Sequence, residues 1–448
     1  MSSTDLYVPF GSHTASQVGY SQRTTLGTST TVSVGTSGQI GLLIFDATAG
    51  QKVSLSLSGA TFSTCFYVYL FAPDTTLLTE QVCPAATSFV DAVVAPYSGT
   101  YTVGIDPVGN TGSVTVEPNN ATDATGTITI GGSSVTMTTT TPGQNISVTF
   151  PATAGQVVSL IAASATFPNY ANLTFYAPDG TPFGTASTVS SYGPTFIDAT
   201  TLPQTGTYKI YVDPVTTGTG QVTLTLYNAT PVTGTITAGG SPVTATITSP
   251  GQNALYTFTG TASERISLNI QSVSYSSSSF YSPVTVSIVE PNGMTLASTT
   301  AYAPSPAFID VQTLPSAGTY TVEVAPGPNT GSATLTLYSV PADTSGTISI
   351  GGSAVTETTT TPGQNAQLTF SGTSGQSVSL TCSSVTYSGY PFVTLYNPDG
   401  TTLTTGYAYP WGNTIFSGVS LGQTGTFTIY INPYQADTGQ MTLQLTSP

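Results

Sequence analysis

The side chains that carry most enzyme chemistry are scarce in this sequence. Its 448 residues include one histidine, His13, three cysteines, and 19 Asp and Glu residues. A Ser-His-Asp or Cys-His site needs a histidine beside the nucleophile, and His13 lies in a segment that matches nothing later in the chain. A zinc site needs several closely spaced Cys or His ligands, and a glycosidase needs two carboxylates across a cleft. The acidic residues are instead scattered among turns, so the protein is not expected to be an enzyme.

No cofactor is expected either, and calcium is the one ion that the acidic residues leave open. Calcium takes six to eight oxygen ligands. Asp106 and Asp213, with neighbouring loop carbonyl groups, would supply some of them in the first half of the chain. The alternative is that the acidic residues are solvated or stabilise turns, as Asp179 and Asp399 would by accepting hydrogen bonds from their own backbone.

Two cysteines flank a predicted turn. Cys65 precedes and Cys83 follows the segment Ala72-Pro73-Asp74-Thr75. If the flanking strands form a hairpin about this turn, residues whose numbers sum to about 149 face each other, which places Cys65 near Cys83 and predicts a cross-strand disulfide. The alternative is a pair of buried free thiols. Cys382 has no nearby partner and is expected to be a small core residue.

Aromatic residues are the strongest indication of a binding surface in the sequence, which has 25 Tyr, 18 Phe and one Trp. Exposed Tyr and Trp bury large areas while still forming hydrogen bonds, so they serve protein interfaces and sugar platforms alike. The competing interpretation is that they pack in or at the rim of a core. The candidate interaction surface in the last quarter of the chain consists of Tyr387, Tyr390, Tyr407, Tyr409 and Trp411.

These candidates sit within a fourfold internal repeat. A turn ending in glutamine occurs at Gln39, Gln144, Gln252 and Gln364, and a Pro-Asp-Gly type of turn and a Gly-Thr-Tyr/Phe segment follow in the same order each time. The period is long for a solenoid, so each copy is expected to be a whole domain. The predicted domains are residues 25–120, 121–230, 231–341 and 342–448.

The pattern of residues in each copy predicts β-strands. Ile146, Val148 and Phe150 alternate with polar residues, as in strands that bury one face, and Asp-Gly and Asn-Gly pairs mark hairpin turns. The predicted fold class is therefore all-β, with four tandem antiparallel β-sandwich modules, Ig-like or jelly-roll-like, that form a rod.

Residues 1–24 form an N-terminal arm in this prediction. One interpretation is a flexible terminus. The other is a donor strand that pairs with the sheet edge of a neighbouring molecule through its alternating apolar residues Leu6, Val8 and Phe10.

The charge balance excludes several partners. Four Lys and Arg against 19 Asp and Glu give a formal net charge of −15, so the chain cannot neutralise nucleic-acid phosphates or bind anionic membranes through basic residues. No apolar run is long enough for a membrane-spanning helix, and the segment MSSTDLYVPFG shows no signal peptide. The hydroxyl-rich composition, with only 5% charged residues, nevertheless predicts an extracellular or cell-surface location.

Four segments carry a resemblance to a known family: AGQVVSL, NLTFYAPDG, TLPQTGTYKIYVDP and TGQVTLTLY. There the chain resembles the bacterial pre-peptidase C-terminal family, small jelly-roll-like or immunoglobulin-like sandwiches appended to exported proteins. The fourth-copy run Gly346–Thr373 also resembles tandem modules of large bacterial surface proteins, including RHS-type repeat proteins. The resemblance covers residues 25–446 and implies an exported β-sandwich. Some relatives bind calcium or a polymeric substrate, but the corresponding residues here vary, as Asp106, Asp213, Ala325 and Asn432.

The sequence thus predicts a non-enzymatic extracellular structural protein, the building block of a surface fibre, filament or matrix. Its expected partner is another copy of the chain or another surface protein, meeting it through β-edges and aromatic patches. One alternative is an adhesin or carbohydrate-binding array, for which a glycan is the ligand. The other is a viral or phage-like fibre or decoration protein.

Overall fold

The apolar–polar alternation of the sequence is resolved into strands in a computed structural model, which describes residues 13–276 and 283–448. Val148 and Phe150 are buried, for example, whereas Ser147 and Thr149 between them are partly exposed. β-branched Thr favours extended backbone, so the polar face of such a segment supports the strand as well as the apolar face does. A 3-10 turn, Ala15–Gln17, precedes the first strand.

The first half of the chain contains two repeats of nine strands. Repeat 1 comprises β1 (Val18–Arg23), β2 (Thr30–Val34), β3 (Ile40–Ala47), β4 (Lys52–Ser58), β5 (Tyr67–Phe71), β6 (Leu77–Val82), β7 (Ser88–Val94), β8 (Gly99–Asp106) and β9 (Gly112–Asn120). Repeat 2 comprises β10 (Ala124–Thr127), β11 (Val135–Thr139), β12 (Ile146–Ala152), β13 (Val157–Ala163), β14 (Tyr170–Tyr176), β15 (Pro182–Ser190), β16 (Thr195–Thr201), β17 (Gly206–Pro214) and β18 (Gly220–Asn228).

The second half contains two more repeats with the same succession. Repeat 3 comprises β19 (Val232–Thr235), β20 (Val243–Ile247), β21 (Ala254–Gly260), β22 (Arg265–Gln271), β23 (Val284–Val289), β24 (Thr295–Ala301), β25 (Ala307–Thr313), β26 (Gly318–Ala325) and β27 (Gly331–Ser339). Repeat 4 comprises β28 (Thr344–Thr347), β29 (Val355–Thr359), β30 (Ala366–Gly372), β31 (Ser377–Ser383), β32 (Phe392–Tyr396), β33 (Thr402–Tyr407), β34 (Asn413–Ser420), β35 (Gly425–Asn432) and β36 (Gly439–Thr446).

Each repeat contributes one five-stranded and one four-stranded sheet among the described residues. In repeat 4 the strand orders are β28-β30-β35-β32-β33 and β29-β36-β31-β34, and the other repeats follow the same orders. Buried residues from both sheets of a repeat form one core: in repeat 2, Phe150 of the five-stranded sheet and Leu160 of the four-stranded sheet belong to the same cluster.

Two of the repeated sequence features, the Pro-Asp-Gly type of turn and the Gly-Thr-Tyr/Phe segment, contact each other in the structure. A Cβ placed on Gly206 would lie 2.8 Å from the ring of Pro178, and the same close approach joins Gly99 to Pro73, Gly318 to Pro291 and Gly425 to Pro398. The glycine of each Gly-Thr-Tyr/Phe segment therefore makes room for the proline of each Pro-Asp-Gly type of turn. The two landmarks recur together because each is packed against the other.

The all-β prediction is confirmed, whereas the prediction of four tandem antiparallel β-sandwich modules in a rod is wrong. The first strand of every five-stranded sheet pairs in parallel with its neighbour, as β10 does with β12, so these sheets are mixed. The chain also divides into two compact units, one ending at Asn228 and one beginning at Ala229. Within each compact unit, side chains of one repeat hydrogen-bond the next: Ser54 Oγ donates to Pro142 O in the first unit, and Ser267 Oγ to Pro362 O in the second.

The end of the predicted N-terminal arm is also reassigned. Residues 18–23 form β1, which pairs in parallel with β3 from Val18 opposite Ile40 to Arg23 opposite Ile44. This strand takes the place that β10 has in repeat 2. The predicted donor-strand residues Leu6, Val8 and Phe10 lie outside the described residues.

Candidate interaction surface

The predicted aromatic residues of repeat 4 separate into a buried one and an exposed set. Tyr387 is 2% exposed within the core, and its hydroxyl group hydrogen-bonds Thr359 Oγ1 at 3.0 Å. Burial raises the pKa of the Tyr387 hydroxyl above its ordinary value. The assignment of Tyr387 to an interaction surface is therefore corrected. The residue packs in the core because the chain there crosses the start of β36, where a Cβ on Gly439 would lie 2.9 Å from the Tyr387 backbone nitrogen.

Tyr390, Tyr409 and Trp411 form an aromatic trio outside the core. The rings of Tyr409 and Trp411 stack with centroids 5.0 Å apart and an angle of 6° between their planes. Tyr390 meets both rings edge-on, at 5.1 Å from Tyr409 and 6.3 Å from Trp411. Trp411 is 73% exposed and Tyr390 is 47% exposed, so the trio covers little of the core and offers ring area to a partner.

Tyr409 and Trp411 lie on the loop that joins β33 to β34, whereas Tyr390 precedes β32. The side chain of Asn413 spans this loop, since its Oδ1 accepts from Tyr409 N at 2.9 Å and its Nδ2 donates to Tyr407 O at 2.9 Å. Gly412 closes the turn at a φ of 76°. The buried Cys382 thiol donates to the same Asn413 Oδ1 at 3.0 Å, so this free cysteine supports the loop from the core side.

The loop connects two strands that lie at the edges of their sheets. β33 is the last strand of the five-stranded sheet and β34 the last of the four-stranded sheet. Neither strand contains an Asp, Glu, Lys or Arg residue. In the other repeats at least one of the two equivalent strands carries an acid: Glu80 and Asp91 in repeat 1, Asp198 in repeat 2 and Asp310 in repeat 3. We call β33 and β34 together the β33–β34 edge.

The remaining predicted aromatic residue, Tyr407, ends β33. It is 49% exposed, and its ring lies 5.2 Å from that of Phe392 on the adjacent strand. Sequence reasoning missed Phe392, which is 38% exposed. The available signal was its alternation with Val393: an aromatic residue stood at the position of the strand that faces away from the core.

A similar but smaller exposed pair occurs in repeat 2. Tyr192 is 97% exposed and Tyr170 is 46% exposed, and both line one depression of about 660 Å³. Tyr192 follows β15 as Trp411 follows β33. Exposed aromatic residues at this loop are therefore a property of more than one repeat.

Cys65 and Cys83 are joined by a disulfide, with their Cα atoms 4.5 Å apart. The bond closes the open end of the β5–β6 hairpin, in which Tyr67 pairs with Val82 and Leu70 with Thr79. The Cys83 backbone nitrogen also donates to Phe66 O at 2.9 Å.

The acidic residues considered for calcium are placed separately. Asp106 lies beside His13, with Oδ2 3.8 Å from His13 Nε2, and its Oδ1 accepts from Val108 N at 2.8 Å. Burial, followed by the nearby carboxylate of Asp91, raises the pKa of Asp213. Over residues 13–276 and 283–448, no three Cys, His, Asp or Glu side chains are grouped closely enough to hold a metal ion. Nor does that part of the chain contain a helix long and apolar enough to cross a membrane.

No protein-family model matches the chain, and neither does any curated protein. Three solved structures show what it is similar to. The pre-peptidase C-terminal domain of a collagenase from Bacillus anthracis matches 23% of this chain and 97% of its own, with 13% identity and a TM-score of 0.20. The CUB1-EGF-CUB2 region of human MASP-1/3 matches 46% of this chain and 98% of its own, with 9% identity and a TM-score of 0.16. A protein of an archaeal virus, described by a triple jelly roll fold and turret assembly, matches 69% of this chain and 84% of its own, with 12% identity and a TM-score of 0.15.

These comparisons support one part of the predicted resemblance, the part that concerns the pre-peptidase C-terminal family. A pre-peptidase C-terminal domain is among the structural neighbours, together with other β-rich domains, at low TM-score and partial coverage. The resemblance to RHS-type repeat proteins is not supported.

Proposed function

We propose that the chain is a non-enzymatic extracellular structural protein that self-associates into a fibre, filament or matrix through the β33–β34 edge. The observation that carries this proposal is the absence of charged residues from both strands of that edge. A second copy of the chain is the proposed partner.

Open edge strands pair with other strands unless something prevents it. Their outward N–H and C=O groups are unpaired, and proteins that stay monomeric block them with Lys, Pro, bulges or covering segments. β33 runs Thr-Leu-Thr-Thr-Gly-Tyr, and its residues are exposed or half-buried. Its pairing with β32 has one register irregularity, between Leu395 and Tyr396, but the strand contains no Lys or Pro that would oppose the addition of another strand.

The aromatic trio adds side-chain area to this backbone edge. Trp411 lies on the loop between the two edge strands, and Tyr390, which precedes β32, packs against its ring. A second molecule paired with β33 would cover both. Trp and Tyr are enriched among the residues that dominate interface energies. The donor-strand role predicted for Leu6, Val8 and Phe10 would supply a strand for such an edge, and it stays a prediction.

A lysine placed on the edge tests the proposal. Thr405→Lys puts a charge at an exposed position of β33, and Gln440→Lys puts the same charge at an exposed position of β36, a central strand of the same repeat. We expect wild type to form regular polymers in electron microscopy and sedimentation across a concentration series. Thr405→Lys should raise the concentration needed for assembly at least tenfold, whereas Gln440→Lys should assemble as wild type does.

Two outcomes would contradict the proposal. Monomers at every concentration would show that the chain does not self-associate, and polymers of Thr405→Lys at the wild-type concentration would show that they form elsewhere.

A further inference from the structure

We propose that a groove between repeats 3 and 4 binds a neutral oligosaccharide. The groove lies within the second unit, encloses about 470 Å³, and is lined on one side by Phe392, Tyr407, Asn432 and Tyr434 and on the other by Thr299 and Asp310. We call it the aromatic groove. Tyr390 of the aromatic trio also lines it, whereas Tyr409 and Trp411 do not.

Strand register builds one wall of the aromatic groove. Phe392 of β32 pairs with Tyr407 of β33 on one side and with Asn432 of β35 on the other. The three side chains therefore form a row across the end of the sheet. Phe392 is 38% exposed and Tyr407 is 49% exposed, so the row presents two rings followed by an amide.

The equivalent rows in the other repeats lack this combination. In repeat 2 the row is Thr188, Asn172 and Asp213, and in repeat 3 it is Thr300, Thr285 and Ala325. Two rings beside an amide are thus specific to repeat 4. Tyr434, which is 57% exposed on the loop after β35, adds a third ring.

Sugar chemistry matches this lining. A pyranose ring has an apolar face of C–H groups that packs on an aromatic ring, and its hydroxyl groups each donate and accept hydrogen bonds. Asn432 supplies both a donor and an acceptor, and Asp310 supplies acceptors beside the rings. A volume of about 470 Å³ falls in the range of roughly 300–1,000 Å³ found for small-ligand sites.

A largely buried amide side chain lines a second depression beside the aromatic groove. This second depression, of about 660 Å³, shares Pro306, Tyr434 and Gln435 with the aromatic groove and is also lined by Asn269. Asn269 is 5% exposed. Its side-chain amide carries donors and an acceptor that a hydroxylated ligand reaching this depression would contact.

The negative charge of the lining and of the whole chain favours a neutral ligand over an anionic one. The aromatic groove and the adjoining depression are lined by two carboxylates, Asp310 and Asp437, and by no Lys, Arg or His. Asp437 is engaged by Ser388 Oγ and the Gly389 backbone nitrogen, and Asp310 accepts from Val311 N at 2.7 Å. With a net charge of −15 on the chain, an anionic glycan would be repelled.

The test uses the full chain in isothermal titration calorimetry with defined hexasaccharides. The neutral probes are the hexamers of cellulose, amylose, laminarin, xylan and chitin; hexagalacturonate is the anionic probe and decaproline the peptide probe. We expect at least one neutral hexamer to bind and the two other probes not to bind. Tyr434→Ala, which removes an exposed ring, and Asn269→Ala should each weaken binding at least tenfold. Trp411→Ala and Tyr192→Ala, which remove exposed rings outside the aromatic groove, should bind as wild type does.

Each contrary result overturns the proposal. Absence of binding by every neutral hexamer at millimolar concentration does so, as does binding that Tyr434→Ala leaves unchanged. Binding of decaproline alone would assign the aromatic groove to a peptide. Because Tyr407 belongs to β33 and also lines the groove, binding is measured on Thr405→Lys as well, whose changed residue is not a lining residue. Binding by a Thr405→Lys monomer would support this proposal whether or not wild type self-associates.

Discussion

At the scale of single residues, Asp179 and Asp399 show how the repeated turns are stabilised. Asp179 Oδ1 accepts from the Thr181 hydroxyl at 2.6 Å and from Thr181 N at 2.9 Å, and its Oδ2 accepts from Gln204 Nε2 at 2.6 Å. Asp399 makes the equivalent contacts with Thr401 and Gln423. These bonds, led by those from Thr181 and Thr401, lower the pKa of both carboxyl groups to about 2.

The lowered pKa values predict a specific acid dependence. Because the folded pKa lies below the unfolded value near 4, the two carboxylates stabilise the folded state above pH 4 and lose this effect as the pH falls towards 2. Asp179→Asn with Asp399→Asn should therefore have a melting temperature that changes less between pH 4 and pH 2 than that of wild type. The turn itself should persist, since Asn292 occupies the same position in repeat 3 and accepts from Met294 N at 2.8 Å.

Circular dichroism melts over this pH range measure the effect. Asp198→Asn, which removes an exposed carboxylate outside the turns, is the control and should keep the wild-type slope. If the melting temperature of the double variant falls between pH 4 and pH 2 as steeply as that of wild type, other groups cause the loss of stability in acid.

The turn residues were predictable from the sequence, whereas the environment of each aromatic residue was not. Asp-Gly pairs give the local chemistry of a turn directly. Tyr387 and Tyr390 stand three residues apart in an aromatic-rich segment, yet one is buried and the other is exposed. Their difference depends on which one crosses β36 at Gly439, a contact between residues some fifty positions apart.

At the scale of elements, an ion pair joins the two repeats within each unit. Lys52 at the start of β4 donates to both carboxylate oxygens of Asp123 at 2.8 Å and to Tyr211 Oη at 3.1 Å. Arg265 at the start of β22 donates to Asp343 Oδ1 at 2.6 Å. Two of the four Lys and Arg residues of the chain are therefore used at equivalent junctions.

Removing Lys52 should lower the free energy of unfolding more than removing an exposed cation does. Burial lowers the pKa of Lys52, but its bonds to Asp123 and Tyr211 outweigh this and raise it. Lys52→Met should destabilise the chain by about 1–3 kcal/mol, because it leaves Asp123, whose side chain is 20% exposed, without its cation. Arg23→Met is the matched control: Arg23 pairs with Asp46 at 2.6 Å, but the two side chains are 47% and 66% exposed, so the loss should stay within about 0.5 kcal/mol.

Urea unfolding of the two variants gives this comparison. Equal losses for Lys52→Met and Arg23→Met would show that the junction pair contributes no more than an exposed ion pair does.

Strands and hairpins were more predictable than sheet membership. The alternation of Ile146, Val148 and Phe150 identified β12 because it is a local signal. The parallel pairing of β10 with β12 joins a four-residue strand to a partner 22 positions later, and Ala124–Thr127 has no apolar alternation to mark it. Similarly, β1 was assigned to an arm because its residues match nothing later, although its place in the sheet is that of β10.

At the scale of the whole molecule, the repeat landmarks predicted four copies but not how the copies are grouped. The landmarks describe contacts within a repeat, such as Gly206 with Pro178. The junction contacts depend on single residues that differ between copies, as Lys52 and Arg265 do. The grouping into two units therefore had no repeated signal in the sequence.

Fragments cut at different points test this grouping. A fragment ending at Asn228 keeps the contacts of Lys52 with Asp123 and of Ser54 with Pro142, whereas a fragment ending at Thr122 loses both. We expect the longer fragment to unfold in one cooperative transition. The shorter fragment should melt at least about 5 °C lower, since each kcal/mol lost shifts the melting temperature by roughly 2–8 °C over domains of about 60–250 residues. Differential scanning calorimetry compares the two, with Lys52→Met in the longer fragment as the control for the ion pair alone. If the shorter fragment melts as high as the longer one, repeat 1 is an independent module and the junction contacts do not couple the repeats.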